Sequence, residues 1–210
     1  MKGMKKEARK RIDLFELAES QQGFFTAKQA GTAGFLNKNH GYHVKAGNWV
    51  REGRGIYRLR TFPRTADSQL IALSLWTRNR EDKPEGVYSH ETALSIHDLS
   101  DVMPAKLHMT VPKHFRRVAK TPKALVLHYD DLKDSDIEQM RGYRVTKPLR
   151  AIVDLLNEDG LAKDLIRQAF LQAIERGVIP IRDTKSSKLS EGMKNTFTEW
   201  LKQERDRVRA

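Results

Sequence analysis

The sequence predicts an α+β fold in two parts, and three observations lead to this prediction. Short amphipathic runs separated by glycines fill the N-terminal segment and end in two strand-like runs. Strand-like and helical runs then alternate, and the C-terminal segment contains helical patterns alone. Pro63 lies where the first pattern stops. We therefore predict one domain over 1–63 and a mixed α/β domain with a helical end over 64–210.

Three helices are predicted in the N-terminal part. Apolar residues at three- and four-residue spacing predict a helix over 8–20, and Gly23 is the glycine expected just beyond its end. Thr26 with Gln29 three residues later is the pattern of a capping box at the start of a second helix. Asn37 is a suitable N-cap for a third helix that Gly47 closes.

A hairpin follows these helices. Two strand-like runs, 49–51 and 56–59, lie on either side of a turn over 52–55 that contains two glycines. The order of three helices and a hairpin is typical of a winged helix-turn-helix, in which one helix enters the major groove of DNA.

The second part is predicted as mixed. Strands are expected over 107–111, 124–129 and 143–145. Helices are expected over 65–78, 89–99, 134–140, 146–156, 161–176 and 193–208.

Positive charge is concentrated at the N-terminal end. Residues 1–63 carry 13 Lys and Arg against 5 Asp and Glu, a balance of +8 within a total of +12. A compact basic segment is the electrostatic footprint of a protein that binds the phosphate backbone.

Composition excludes several classes of protein. The chain has no cysteine, which excludes disulfide scaffolds, thiolate zinc sites and thiol nucleophiles and fits a reducing cytoplasm. No apolar run reaches the length of a membrane span, and no apolar segment of a signal peptide follows the basic start. We therefore expect a cytoplasmic protein without a membrane partner.

The third helix is the best candidate for reading bases. Leu36, His40, Val44 and Gly47 share one face, predicted to pack on the preceding helices, whereas the opposite face carries polar side chains. Asparagine suits adenine, and lysine suits guanine or phosphate. An ordinary surface helix is the alternative.

The hairpin is predicted to carry three arginines to DNA. Arg51 and Arg58 are expected to face solvent while Val50 and Tyr57 pack inward, and Arg54 lies between two glycines at the tip. The complete predicted set of DNA-binding residues is Thr26, Lys28, Lys38, Asn39, Tyr42, His43, Lys45, Arg51, Arg54 and Arg58.

Signals for catalysis are weak. His90-Glu91 is followed by His97, not by the histidine four residues later that a zincin helix requires. His108, His114 and His128 lack metal-ligand spacing, and no phosphate-binding glycine loop is present. We predict no catalytic residue, metal or cofactor. A nucleic-acid-processing enzyme, either a nuclease or a nucleotidyltransferase-like protein with a basic substrate face, stays open as the alternative.

Five segments resemble the AbiEi-type antitoxins of type IV toxin–antitoxin systems. They are GFFTAKQA from Gly23, WVREGRGIYRL from Trp49, YSHETALSIHDLSD from Tyr88, LHMTVP from Leu107 and VTKPLRAIVDLL from Val145. Their order is that of the family across 12–157, while Gly41 and Asn48 depart from its usual pattern.

This resemblance implies a function for both parts. It implies a repressor that binds inverted repeats in its own promoter through the winged helix, and an antitoxin that opposes a cognate nucleotidyltransferase toxin through the rest of the chain. A stable complex with the toxin is not implied, because type IV antitoxins are defined by antagonism without one.

Overall fold

The computed structural model describes residues 2–99, 101, 103–158, 160–187 and 189–209, and among the side chains of residues 2–10 only that of Arg9. The described residues form a mixed α+β fold with two sheets. The chain divides into two compact units: residues 1–87, 114–118 and 139–144, and residues 88–113, 119–138 and 145–210.

The first unit contains helices and a three-stranded antiparallel sheet. Its elements are α1 (Lys2–Glu19), β1 (Phe24–Thr26), α2 (Ala27–Thr32), α3 (Asn37–Lys45), β2 (Trp49–Gly53), β3 (Ile56–Leu59) and α4 (Ser68–Trp76). β3 lies between β1 and β2 in the sheet. The first compact unit thus continues past Pro63 and includes α4. The division of function between residues 1–63 and 64–210 stays a prediction.

Local chemistry explains where these elements begin and end. Gly23 adopts φ +90°, and a Cβ at this position would lie 2.4 Å from the Phe62 Cβ, so a larger residue would not fit. The predicted capping box is confirmed: the Thr26 hydroxyl accepts a hydrogen bond from the Gln29 amide, and the Gln29 side chain accepts one from the Thr26 amide. Gly55, at φ +69°, forms the tip of the hairpin together with Arg54.

The start of α3 differs from the prediction. Asn37 is its first residue, Leu36 is the N-cap, and no side chain caps this helix. Leu36 is 60 % exposed, so its predicted packing is wrong. Phe35, one residue earlier, takes the buried place beside Trp49, because the extended backbone at Leu36 turns its side chain away.

An aromatic core holds the first unit together. Phe25, Phe35 and Trp49 pack with Leu14 and with small alanines of α1 and α2. His40 is buried as predicted, and its Nε2 lies 3.0 Å from the Phe35 carbonyl oxygen. A continuous apolar core of this kind fixes the orientation of α3 and therefore of its exposed face.

The second unit contains most of a five-stranded sheet in the order β6-β5-β4-β8-β7. Its elements are β4 (Val87–Tyr88), α5 (His90–Ile96), β5 (Leu107–Val111), β6 (Leu125–Tyr129), β7 (Ile137–Gln139), β8 (Arg144–Thr146), α6 (Pro148–Leu156), α7 (Lys163–Glu175) and α8 (Glu191–Arg209). β5 pairs with β6 and β4 pairs with β8, both in parallel. The prediction of a helix over 134–140 is wrong, because a 3-10 turn over Asp134–Asp136 leads directly into β7.

The helical end packs through aromatic rings. Phe170 of α7 and Phe197 of α8 stack with ring centroids 4.6 Å apart, and Trp200 lies 5.6 Å from Phe170. The apolar side chains Phe197 and Trp200 of α8 therefore pack within the second unit. Val208, near the end of the same helix, is 77 % exposed and lies outside this core. Among the described residues, none of the helices has the length and apolar composition needed to cross a membrane.

Candidate nucleic-acid interface

The surface of α3 opposite the buried His40 is the first element of the candidate site. Lys38, Asn39, Tyr42 and Lys45 are all exposed, and Tyr42 is 68 % exposed. α3 contains no acidic residue. Four side chains that suit bases or phosphates therefore share one accessible helix face.

The tip of the β2–β3 hairpin is the second element. Arg51 and Arg54 are exposed, as predicted. The Gly55 carbonyl accepts a hydrogen bond of 2.9 Å from the Ala27 amide, which ties the tip to the first residue of α2. Arg54 is thus presented on a short, anchored turn.

Arg58 differs from the prediction, because its side chain is buried. Its Nε donates to Glu52 Oε1 at 2.8 Å, and its Nη1 donates to the Phe62 carbonyl oxygen. Arg64 donates to the other Glu52 oxygen at 2.5 Å. Burial would raise the pKa of Glu52, but the hydrogen bonds and charges of the two arginines outweigh it and lower the pKa. A guanidinium with these partners has no surface left for a phosphate, so we remove Arg58 from the candidate interface.

Thr26 and His43 are also less accessible than predicted. Thr26 is fully buried, and its hydroxyl donates to Asp82 in addition to capping α2. His43 is half-buried and stacks on Trp49 with ring centroids 4.6 Å apart. Their roles are capping and packing, because both side chains face the interior.

Lys28 is exposed, and its ammonium group donates to the Arg80 carbonyl oxygen at 2.7 Å. Solvent still reaches this group, so a phosphate can compete for it. The candidate interface therefore consists of the seven exposed residues Lys28, Lys38, Asn39, Tyr42, Lys45, Arg51 and Arg54.

All seven residues lie within a segment that matches a known family model, described as transcriptional regulator, AbiEi antitoxin, over residues 13–60. The AbiEi resemblance is confirmed for this segment. No curated protein matches the chain.

The AbiEi match supports a regulatory antitoxin role, since the family description names a transcriptional regulator and an antitoxin. For the matched segment, that description names a regulator rather than a catalyst. The matched segment contains α2, α3 and the hairpin, which carry the candidate interface.

A carboxylate cluster in the second unit was not visible in the sequence. Arg150 lies 2.8 Å from Asp130, 3.8 Å from Asp136 and 2.7 Å from Asp154. Only the Arg150–Asp154 pair has a helical i,i+4 spacing that a sequence could reveal. Because a guanidinium occupies the centre and pairs with all three carboxylates, they do not form an open site for a metal.

The sequence also gave no signal for a cluster of histidines in the second unit. The histidines do not have the regular spacing of metal ligands along the sequence. In the structure, however, His90, His128 and Glu158 offer ligand atoms that all lie within 4.8 Å of one another. Spacing along the chain therefore does not by itself exclude a metal site, because the fold brings together residues that are far apart in the sequence. The absence of a metal stays a prediction.

Proposed function

We propose that the first unit is a winged helix-turn-helix that binds double-stranded operator DNA, with α3 as the recognition helix and the β2–β3 hairpin as the wing. In this proposal the protein represses its own operon in the cytoplasm. It also acts as the antitoxin to a cognate nucleotidyltransferase toxin through residues 64–210.

The exposed polar face of α3 is the observation that carries the DNA-binding proposal. His40 anchors the opposite face in the aromatic core, so the direction of Lys38, Asn39 and Lys45 is set by packing. The N-terminal residues of a recognition helix contact base edges, whereas residues nearer its end contact phosphates. Asn39 is thus assigned to base reading and Lys45 to the phosphate backbone.

The hairpin tip supports this arrangement. Arg54 is exposed on a two-residue turn, and a narrow tip of this kind fits a minor groove or a phosphate. Because the tip is tied to α2 through Gly55, its position relative to α3 is defined within the unit.

The test compares Asn39→Ala and Arg54→Ala on the DNA upstream of the gene and on unrelated duplex of equal length. Asn39→Ala should weaken operator binding by about 1–3 kcal/mol and leave binding to unrelated DNA nearly unchanged, because a base contact is lost. Arg54→Ala should weaken both by a similar factor, because a phosphate contact carries no sequence information.

Lys202→Ala on α8 is the matched control, since it removes an exposed positive charge from the second unit. Binding by this variant should equal that of the unaltered protein. If Asn39→Ala leaves the ratio of operator to unrelated binding intact, α3 does not read bases through this residue.

Repression and antitoxin activity should be separable. The double variant Lys38→Ala, Lys45→Ala should lose repression of a promoter reporter at least tenfold and still rescue cells that express the toxin. Both substitutions are at exposed positions, so the fold should be retained. Joint loss of repression and rescue in a folded variant, as judged by circular dichroism, would contradict the division of labour.

A further inference from the structure

Three histidines of the second unit are stacked in one cluster. His90 is the first residue of α5. His108 lies on β5 and His128 on the adjacent strand β6, where His128 pairs with Thr110. The His90 and His128 rings stack with centroids 3.7 Å apart and planes 16° apart, and the His108 ring lies 5.2 Å from that of His128.

Glu158, just beyond α6, faces the edge of this stack. Its Oε1 lies 3.2 Å from His90 Nε2 and 3.0 Å from His128 Nδ1. His90, His128 and Glu158 are the three residues whose ligand atoms all lie within 4.8 Å of one another. A tetrahedral Zn²⁺ with bonds of about 2.0–2.1 Å holds its ligand atoms roughly 3.3 Å apart. The two separations between the Glu158 oxygen and the histidine nitrogens, 3.2 and 3.0 Å, are close to this value.

The second nitrogen of each histidine has a partner of its own. His90 Nδ1 lies 2.9 Å from the Ser89 hydroxyl oxygen, and His128 Nε2 lies 3.0 Å from His108 Nδ1. Ser89 is in turn held by the Thr110 hydroxyl, which donates to it at 2.8 Å. In metal-binding histidines, the ring nitrogen that does not bind the metal characteristically makes a hydrogen bond of this kind. This hydrogen bond fixes the tautomer and the direction of the ring.

The backbone and the solvent exposure agree with a ligand site. His90 adopts φ +54°, a left-handed conformation that is costly for a residue with a side chain and that recurs at functional sites. The His90 side chain is 5 % exposed and that of Glu158 48 % exposed, so solvent and ions reach the cluster from the carboxylate side.

We infer that His90, His128 and Glu158 form a Zn²⁺ site in the second unit, with the fourth position open to water. Nitrogen and carboxylate oxygen ligands are a set that Zn²⁺ accepts, and a site with three protein ligands keeps one open position. Such an ion would link the start of α5, strand β6 and the residues that follow α6. The inference is independent of DNA binding, because each of its residues belongs to the second unit.

The test is calorimetric titration of the full chain, first freed of metal with a chelator, with ZnCl₂. One equivalent of Zn²⁺ should bind with micromolar or tighter affinity and raise the thermal midpoint, because the ion binds the folded state preferentially. Mg²⁺ at the same concentration should not bind, since it prefers octahedral oxygen ligands.

Three variants make the test specific to this site. Glu158→Gln and His128→Gln should each weaken Zn²⁺ binding at least tenfold, and Ser89→Ala should weaken it roughly 10–100-fold through loss of a partner to a ligand. His114→Gln is the matched control, because the His114 side chain is 79 % exposed and lies outside the cluster. The Zn²⁺ affinity of this variant should equal that of the unaltered protein. Glu158→Gln changes a half-exposed side chain, so it keeps the test valid if His128→Gln unfolds. Absence of saturable Zn²⁺ binding, or equal binding by Glu158→Gln, would overturn the inference.

Discussion

At the scale of single residues, the arginines of the hairpin divide into two groups. Arg51 and Arg54 are exposed, whereas Arg58 is buried against Glu52 and the Phe62 carbonyl. The same residue type is therefore assigned to binding in our proposal in one case and to stability in the other. Burial and hydrogen-bond partners decide which, because a desolvated guanidinium must have its partners inside the protein.

This division predicts different effects of two alanine substitutions. Arg58→Ala should lower the free energy of unfolding by roughly 3 kcal/mol, because it breaks a buried ion pair. Arg51→Ala should change stability by less than about 0.5 kcal/mol and weaken DNA binding instead. Urea denaturation and a DNA titration of both variants measure these effects. Equal stability losses would show that the burial of Arg58 has no energetic consequence.

Asp154 gives a prediction for pH. Burial raises its pKa to about 6 from 3.8, against the opposing charge and hydrogen bond of Arg150, while the charges of Asp130 and Glu158 add to the rise. An acid whose folded-state pKa is raised binds its proton more tightly in the folded state. Its contribution to stability is therefore complete below about pH 3.8 and is lost as the pH rises through about 6.

Asp154→Asn should remove this dependence. Between pH 4 and pH 7 the stability of the variant should rise relative to that of the unaltered protein by about 2 kcal/mol, because each pKa unit corresponds to 1.36 kcal/mol and pH 4 already lies above the unfolded pKa. Urea denaturation at several pH values measures the difference, in which the effects of other titrating groups cancel. A difference independent of pH would contradict the assigned pKa of Asp154.

At the scale of elements, α3 combines a buried anchor with an open surface. Gly41 lies in the middle of this helix, and a Cβ placed there would meet nothing within 4 Å. Glycine inside a helix costs about 1 kcal/mol relative to alanine. No crowding within the described part of the unit requires a glycine here, which is consistent with a close approach of DNA.

Gly41→Ala should therefore separate stability from binding. The variant should be more stable by up to about 1 kcal/mol and yet bind operator DNA more weakly, because the added methyl group meets the duplex. Gly192→Ala at the start of α8 is the control, since a Cβ there would have only the Ser190 hydroxyl oxygen 4.0 Å away. Its DNA binding should not change. Unchanged or tighter operator binding by Gly41→Ala would argue against close backbone approach.

At the scale of the whole molecule, charge is distributed unevenly along the chain. The N-terminal segment 1–63 holds +8 of the +12. The structure reduces the positive charge that is free to act, because Arg58 pairs with Glu52 and Arg64 shares the same carboxylate. Five cations remain on the candidate interface: Lys28, Lys38, Lys45, Arg51 and Arg54.

These five cations predict the salt dependence of DNA binding. If each neutralises one phosphate, the logarithm of the binding constant should fall with the logarithm of salt concentration with a slope of about −4.5 for one protomer. Titrations on operator DNA at several salt concentrations measure it, and Arg54→Ala should reduce the slope by about 1. A slope near zero would remove the electrostatic basis of the proposed interface.

The sequence by itself determined the features that depend on neighbouring residues. The capping box of Thr26 and Gln29, the break at Gly23 and the hairpin tip at Gly55 follow from interactions over a few positions, so their residue types were sufficient to predict them. The exposed face of α3 followed in the same way from helical periodicity. Strand β1 was missed, because three residues that are all buried show no alternation.

Only the tertiary structure decided the features that join distant parts of the chain. Thr26 meets Asp82 across 56 positions, and His128 meets Glu158 across 30. Arg58 has its partner Glu52 six residues away, across a hairpin whose register shifts between Arg51 and Gly53. Side-chain roles of this kind depend on which elements pack together, and local spacing does not encode that packing.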